Sequence, residues 1–344
     1  MAPHEDGAPN ATRRRFIQAL LAAPLYPWAG HALAADYPVR VYGANPVVSY
    51  LLAALAPEVF VGWNFPPPEQ SAGYFSAEVL KKPVVGGFFG QGRTPNTEAL
   101  LATRPQLAII SGATSVSTNE SRKMFSQLGI PVQELTLNNA ADYPQAIRVL
   151  GDWLGIRARL NPVADFYQQL WQRYQQLPFP RPAPVVYYAE QNDGLATECP
   201  DSLHAEVLRL VQADNPVVCP GGEAGKFGMM RISLESLYRM NPHWILTQDR
   251  ATLSTFKQDT RYAQLQAVGQ HKMLLAPQIP FRWIDRPPSF MRLLAAYWLY
   301  DRLYPGHHRF DLVTLTQEFM HHFFNKTLTP AEAGHVLNPS QTAV

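Results

Sequence analysis

Cysteine is almost missing from this chain of 344 residues: only Cys199 and Cys219 occur. In an oxidising compartment the two could form one bridge, whose loop closure would contribute roughly 3 kcal/mol. They could equally be two small buried side chains that never meet, because spacing does not set the Cα separation a disulfide requires. Charge is also scarce, at 16% of residues with a formal net charge of +2. That leaves no polybasic face for nucleic acid or an anionic membrane. No segment has the length and purity of a membrane span. Absent too are HExxH, CxxC, G-x-S-x-G and a P-loop, the local signatures of several enzyme classes.

What is present starts at the N-terminus. Thr12-Arg13-Arg14-Arg15-Phe16-Ile17-Gln18 precedes a weakly apolar run, residues 19–28, broken by Pro24 and Pro27. This reads as a twin-arginine export signal. His31-Ala32-Leu33-Ala34 supplies a small-x-small cleavage pattern, which places the mature start at Ala35. No lipobox cysteine follows, so a free periplasmic protein is expected. Its remaining residues, about 310, suit two lobes. Hydrophobic content of 47% is ample for their cores, and 31 prolines punctuate short units joined by stiff turns.

The mature chain alternates strand and helix, which predicts an α/β fold with mainly parallel sheets covered by helices. In residues 35–141, strands are expected at 39–42, 59–63, 107–110 and 132–135, with an extended segment at 83–87. Helices are expected at 47–55, 97–102 and 121–128. Residues 142–177 carry a sustained helical pattern, with Asn161-Pro162 starting its second segment; this would be a rigid strut between two halves. Residues 178–344 repeat the alternation, with strands at 185–188, 244–247 and 272–275. Its helices are expected at 203–211, 234–240, 290–304 and 312–324.

Particular residues then add a family likeness. Asn96-Thr97-Glu98 through Pro105-Gln106-Leu107-Ala108-Ile109-Ile110 resembles the helix-to-strand signature of periplasmic binding proteins for iron-siderophores, haem and cobalamin. Gln106 stands where that family usually has Asp. Ser233-Leu234-Glu235 through Asn241-Pro242-His243-Trp244-Ile245-Leu246 is its counterpart in the second half, with His243 in place of Asp. Trp283-Ile284-Asp285-Arg286-Pro287-Pro288-Ser289, Arg292 and Trp298-Leu299 resemble the family's C-terminal segment. The likeness runs in order across nearly the whole mature chain. It implies two lobes joined by a long helix, and small closure on ligand.

The resemblance puts a ligand between the lobes, at loops following strand ends. In the first lobe the loop 86–93 offers Phe88, Phe89, Gln91 and Arg93, and Trp63 follows another strand end. In the second lobe Tyr188, Asp193, Phe227, Arg231, Arg282 and Trp283 are the expected contacts. Asp285 and Arg286 could instead pair to shape a loop. His307-His308, His321-His322 and Glu318 read as surface residues rather than a metal site, and His204 and His271 lack recognised zinc-ligand spacing. By the resemblance, Glu120 and Glu206 would be exposed acids that dock arginines of a membrane permease.

The expectation is therefore a monomeric importer component with no resident cofactor and no catalysis. It would capture a metal chelate (siderophore, haem, corrinoid or small nickel or cobalt complex) for an ABC permease and ATPase at the inner membrane. Two alternatives stay open: a twin-arginine-exported metalloenzyme, and a ligand sensor of the same fold.

Overall fold

The computed structural model describes residues 39–88, 95–112, 115–219 and 229–338. The first sheet has the order β1-β2-β3, formed by Val41–Gly43, Leu107–Ser111 and Val132–Leu135, all parallel. Around it lie α1 (Pro46–Leu55), α2 (Ala77–Leu80), α3 (Thr97–Ala102) and α4 (Ser115–Gln127). The expected strand at 59–63 is reduced to single bridges, Val41 with Phe60 and Trp63 with Val84. The prolines at 66–68 turn the chain away before a ladder can extend.

The helical middle differs from expectation in one respect. It is two helices, α5 (Tyr143–Leu154) and α6 (Arg157–Gln175), and the break falls at Gly155 rather than at Pro162. Gly155 takes φ +70°, and the Ile156 N–H reaches the Gly151 carbonyl at 2.9 Å, which closes α5. A left-handed glycine turn of this kind ends a helix outright. Pro162 is instead carried inside α6. The helices α5 and α6 pack on each other, so only α6 leads onward to the second half.

The second sheet is also parallel, in the order β4-β7-β8, where β4 is Val186–Ala189, β7 Trp244–Thr247 and β8 Met273–Leu275. A small antiparallel pair, β5 (Ala196–Thr197) and β6 (Met230–Arg231), lies beside it. The helices of this half are α7 (Glu206–Leu210), α8 (Leu234–Met240), α9 (Arg250–Gln258), α10 (Gln266–Gly269) and α11 (Met291–Leu303). Then α12 (Leu312–Phe324) and α13 (Pro330–Leu337) are the last helices among the described residues.

Strand alternation sorts side chains into three cores. Val41, Ile109, Val186, Tyr188 and Leu246 face a central core shared with α1, α5, α6, α11, α12 and α13. Their neighbours face outward: Tyr42, Ala108 and Ile110 into one outer core, Tyr187 and Ile245 into another. The two sheets are thus joined through one continuous helical core. A buried ion pair ties the same region. Arg292 of α11 donates to the Glu206 carboxylate, which also accepts the Ala140 N–H at 2.8 Å. Arg292 reaches back to the Asn138 carbonyl at 3.4 Å.

Candidate functional site

In parallel sheets the loops after the strand C-terminal ends form the natural ligand crevice. Among the described residues the first sheet's ends are fixed mainly by neutral groups, with one partly exposed ion pair, Glu134 of β3 with Arg122. Asn45 caps α1, accepting the Val48 N–H at 3.1 Å, and its amide donates to the Ser111 hydroxyl at 2.8 Å. Asn64 donates to the carbonyls of Gly43 at 2.9 Å and Gly86 at 2.8 Å. Its own Oδ1 is buried without a hydrogen-bond partner. Gly43 must be glycine, since a Cβ there would lie 2.7 Å from the Ser49 hydroxyl and 2.8 Å from the Ser49 nitrogen.

The second sheet ends in charge. Glu190 directly follows β4 and is held by Arg286 through two contacts, Nε at 2.9 Å and Nη2 at 3.2 Å. Arg286 also donates to Glu198 at 2.6 Å and lies 3.4 Å from Asp285. Its backbone stands at φ +56°, which costs a residue with a Cβ about 1 kcal/mol or more, so the surrounding contacts must hold it there. Asp285 meets His204 Nδ1 at 2.5 Å. Gln248, directly after β7, anchors the loop: it donates to the Tyr188 hydroxyl at 2.8 Å and the Asp285 carbonyl at 3.1 Å, and accepts the Ile284 N–H at 3.2 Å.

Burial sets the protonation of this cluster. Glu198 is fully buried, and desolvation pushes its carboxyl up to about 7. Desolvation works to lower the His204 imidazolium, but the Asp285 carboxylate outweighs it and holds His204 above its ordinary value. Burial likewise opposes the Arg286 cation, which the Glu190 and Asp285 carboxylates raise above its usual range.

The segment after β8 bridges the two halves. The Ser71 hydroxyl donates to the Pro280 carbonyl at 2.8 Å, and Phe281 packs on Tyr50 with ring centres 4.1 Å apart. A separate groove of about 530 Å³ lies between α6 and α12, lined by Phe166, Gln169, Arg173, Glu318 and His322 among others. It is built from helix faces rather than strand ends, and His322 there stacks on Phe166.

Several expected contacts move. Trp63 is only 1% exposed, packed between Tyr50, Phe60 and Phe75, and its indole N–H donates to the Val79 carbonyl at 2.9 Å. It serves the core, as does Trp283, whose N–H donates to Ile279 at 2.7 Å. Tyr188 is buried and occupied by Gln248, and Phe88 is packed against Phe125. Each of these side chains has its polar atom satisfied or none to offer, and no free face. Arg231 pairs with Asp193, and Arg282 with Asp249, so these stay at the surface already neutralised. Phe89, Gln91, Arg93 and Phe227 lie outside the described residues.

Glu206 is corrected most firmly. It is buried against Arg292 instead of exposed for docking, and desolvation raises its carboxyl despite that partner. Glu120 is exposed on α4 as expected. Cys199 and Cys219 are bonded, with Cα atoms 5.9 Å apart. Glu198 and His204 are not among the expected contacts: they share the segment between β5 and α7 without a recognised ligand spacing, and Asp285 reaches them from 81 positions beyond His204.

Two parallel sheets joined through one helical core, each ending in loops after its strands, give the architecture of a two-lobed binding protein. The comparisons place it further. A family model described as periplasmic binding protein matches residues 75–280, and the chain belongs to that family. The molybdate-binding protein MolA of Haemophilus influenzae is 24% identical over 275 residues, 71% of this chain and 74% of that one. A solved ABC transporter solute binding protein from Sulfurospirillum deleyianum aligns with a TM-score of 0.79 and 28% identity, covering 88% of this chain and 94% of that one. The solved MolA bound to molybdate aligns with a TM-score of 0.66 at 19% identity, covering 86% and 95%. The protein is thus a periplasmic substrate-binding component of an ABC importer, working with a permease and ATPase rather than catalysing a reaction.

Proposed function

We propose that the chain captures a compact metal complex, such as a small nickel or cobalt chelate, between the strand ends of its two sheets. The observation that carries this is the second sheet's end, where the carboxylates of Glu190, Glu198 and Asp285 surround the single guanidinium of Arg286. With the imidazole of His204 also paired to Asp285, every cation described at this edge is already engaged by a carboxyl group, which leaves no free positive charge for an anion. Among the described aromatics expected to meet a ligand, Trp63, Phe88, Tyr188 and Trp283 offer no free ring face, which weighs against a planar macrocycle. Siderophores, haem and corrinoids therefore rank below a small chelate.

A second reading is a compact oxyanion, favoured by the likeness to a molybdate-binding protein. The neutral donors Asn45 and Ser111 beside the start of α1 would suit it. Native mass spectrometry with metal analysis, on protein from its own periplasm, separates the readings. A defined organic mass with nickel or cobalt is expected. Molybdenum without organic mass would select the oxyanion, and bound haem or corrinoid would overturn both.

Export is assigned to the twin-arginine route through Arg13 and Arg14; Lys at both positions should leave the precursor in the cytoplasm while a Sec-dependent control is still exported. Docking to the permease is assigned to Glu120 alone, now that Glu206 is buried. Glu120→Arg should abolish ligand-stimulated ATPase activity in the reconstituted importer while leaving ligand affinity unchanged. Full stimulation would remove Glu120 from the interface.

A further inference from the structure

Glu198 and His204, on the one segment between β5 and α7, meet Asp285 from the segment after β8, and one donor atom from each lies within 4.8 Å of the other two. Two carboxylates and an imidazole are a donor set that first-row divalent ions accept. Burial points the same way. One guanidinium, that of Arg286, is shared among three carboxyl groups, Glu190, Glu198 and Asp285. The Glu198 and Asp285 side chains are both completely buried. Only His204 and the shared edge of Arg286 face them. A second observation is independent of the count: Asp285 Oδ2 is buried and has no hydrogen-bond donor, its nearest cation being Arg286 Nε at 3.4 Å. A buried carboxylate oxygen without a donor is costly unless something cationic meets it. The His204 side chain is 19% exposed, so the triad opens to solvent through the imidazole.

We propose that Glu198, His204 and Asp285 form a binding site for a divalent first-row transition ion within the second lobe. The ion's double charge balances the two carboxylates, and the imidazole nitrogen completes three protein ligands, leaving further positions for water. The Ser202 hydroxyl, donating to Glu198 at 2.8 Å, and Gln248, holding the Asp285 backbone, orient the ligands. The ion would occupy part of the edge on which the cargo reading rests, so this inference deepens that reading, and its test uses the bare ion.

The test is calorimetric titration of chelator-stripped protein with Zn²⁺, repeated with Co²⁺ to read the visible spectrum of the bound ion. One ion per chain is expected, with affinity falling at least tenfold in Glu198→Gln and in His204→Gln. His204→Gln alters the most accessible ligand and should fold normally, so it keeps the test valid if the buried variant is unstable; circular dichroism checks both. A double variant at the surface, His321→Gln with His322→Gln, should bind as the parent does. Overturning results are the absence of a bound ion in folded parent protein, or equal affinity in His204→Gln. Loss in the surface double variant instead of the triad would also overturn it. Binding of a nickel chelate or of molybdate by the same stripped protein reports on the cargo separately, so each idea can fail alone.

Discussion

The two strand-end edges do the same topological job with opposite chemistry. At the first sheet, Asn45, Asn64 and Ser111 fix the loops with neutral hydrogen bonds to backbone and to each other. At the second, Arg286 organises Glu190, Glu198 and Asp285, and a disulfide between Cys199 and Cys219 ties the neighbouring chain. The first edge loses about one hydrogen bond's worth of stability per broken contact. The second depends on a cation whose removal leaves several buried charges together. Neutral networks fail gradually, whereas a buried ionic network fails at its centre.

The largest expected effect comes from removing that centre. Arg286→Met should destabilise the protein by about 3–5 kcal/mol, the usual range for leaving a buried charge uncompensated. Changing Glu190 and Glu198 to Gln in the same chain should restore much of the loss, because the repulsion disappears with the charges. Urea unfolding followed by circular dichroism measures both. A loss near 1 kcal/mol for Arg286→Met, with no rescue, would mean that water solvates these carboxylates and that the contrast between edges is superficial.

Breaking the disulfide sharpens the comparison next. The bridge spans a sequence separation of 20, and removing it as Cys199→Ser with Cys219→Ser should cost about 3 kcal/mol. The first half carries no such constraint among its described residues, so limited proteolysis should cut the variant first in the second half. At the neutral edge, Asn64→Ala removes one donor each from the carbonyls of Gly43 and Gly86, which keep the hydroxyls of Ser49 and Tyr42. About 1 kcal/mol is expected there, below both changes at the charged edge. The reverse order in unfolding free energies would invert the argument.

How much of this was legible beforehand follows from what is local. The parallel strands at 107–110 and 244–247 announced themselves as mainly apolar runs between turn residues, and the cores follow their alternation. Helix ends were less legible, because Gly155 and Pro162 both signal a boundary and only the fold selects the glycine. The site was the least legible part. A tryptophan after a strand end looks the same in sequence whether it faces a cleft or a core, and Trp63 and Trp283 went inward. Arginines read as ligand contacts already had acids of their own, from Asp193, Asp249 and Glu190, residues 38, 33 and 96 positions away. Glu206 shows the same limit: an acid opening a helix reads as exposed until Arg292, from a distant helix, is packed against it.

The smallest expected effect is also the cleanest way to tell the edges apart, because only one of them titrates near neutrality. Burial raises the Glu198 carboxyl to about 7, and the Asp285 carboxylate, against desolvation, raises His204. Both shifts mean that the folded state holds protons more tightly than the unfolded chain does. Stability is then fully present below the unfolded value of each group and is lost as pH rises through its folded value. For Glu198 that window runs from about 4.3 to about 7; for His204 it begins near 6.5 and extends upward. In chelator-treated protein, the melting temperature should fall by about 2–4 °C between pH 5.5 and pH 8, corresponding to about 1 kcal/mol. Glu198→Gln should flatten the part of that slope below pH 7, since the amide has no proton to lose. Asn64→Ala should shift the whole curve downward without changing its slope, because the amide it removes exchanges no proton. A slope equally reduced by both variants would show that the pH response belongs to the fold as a whole and not to the charged edge.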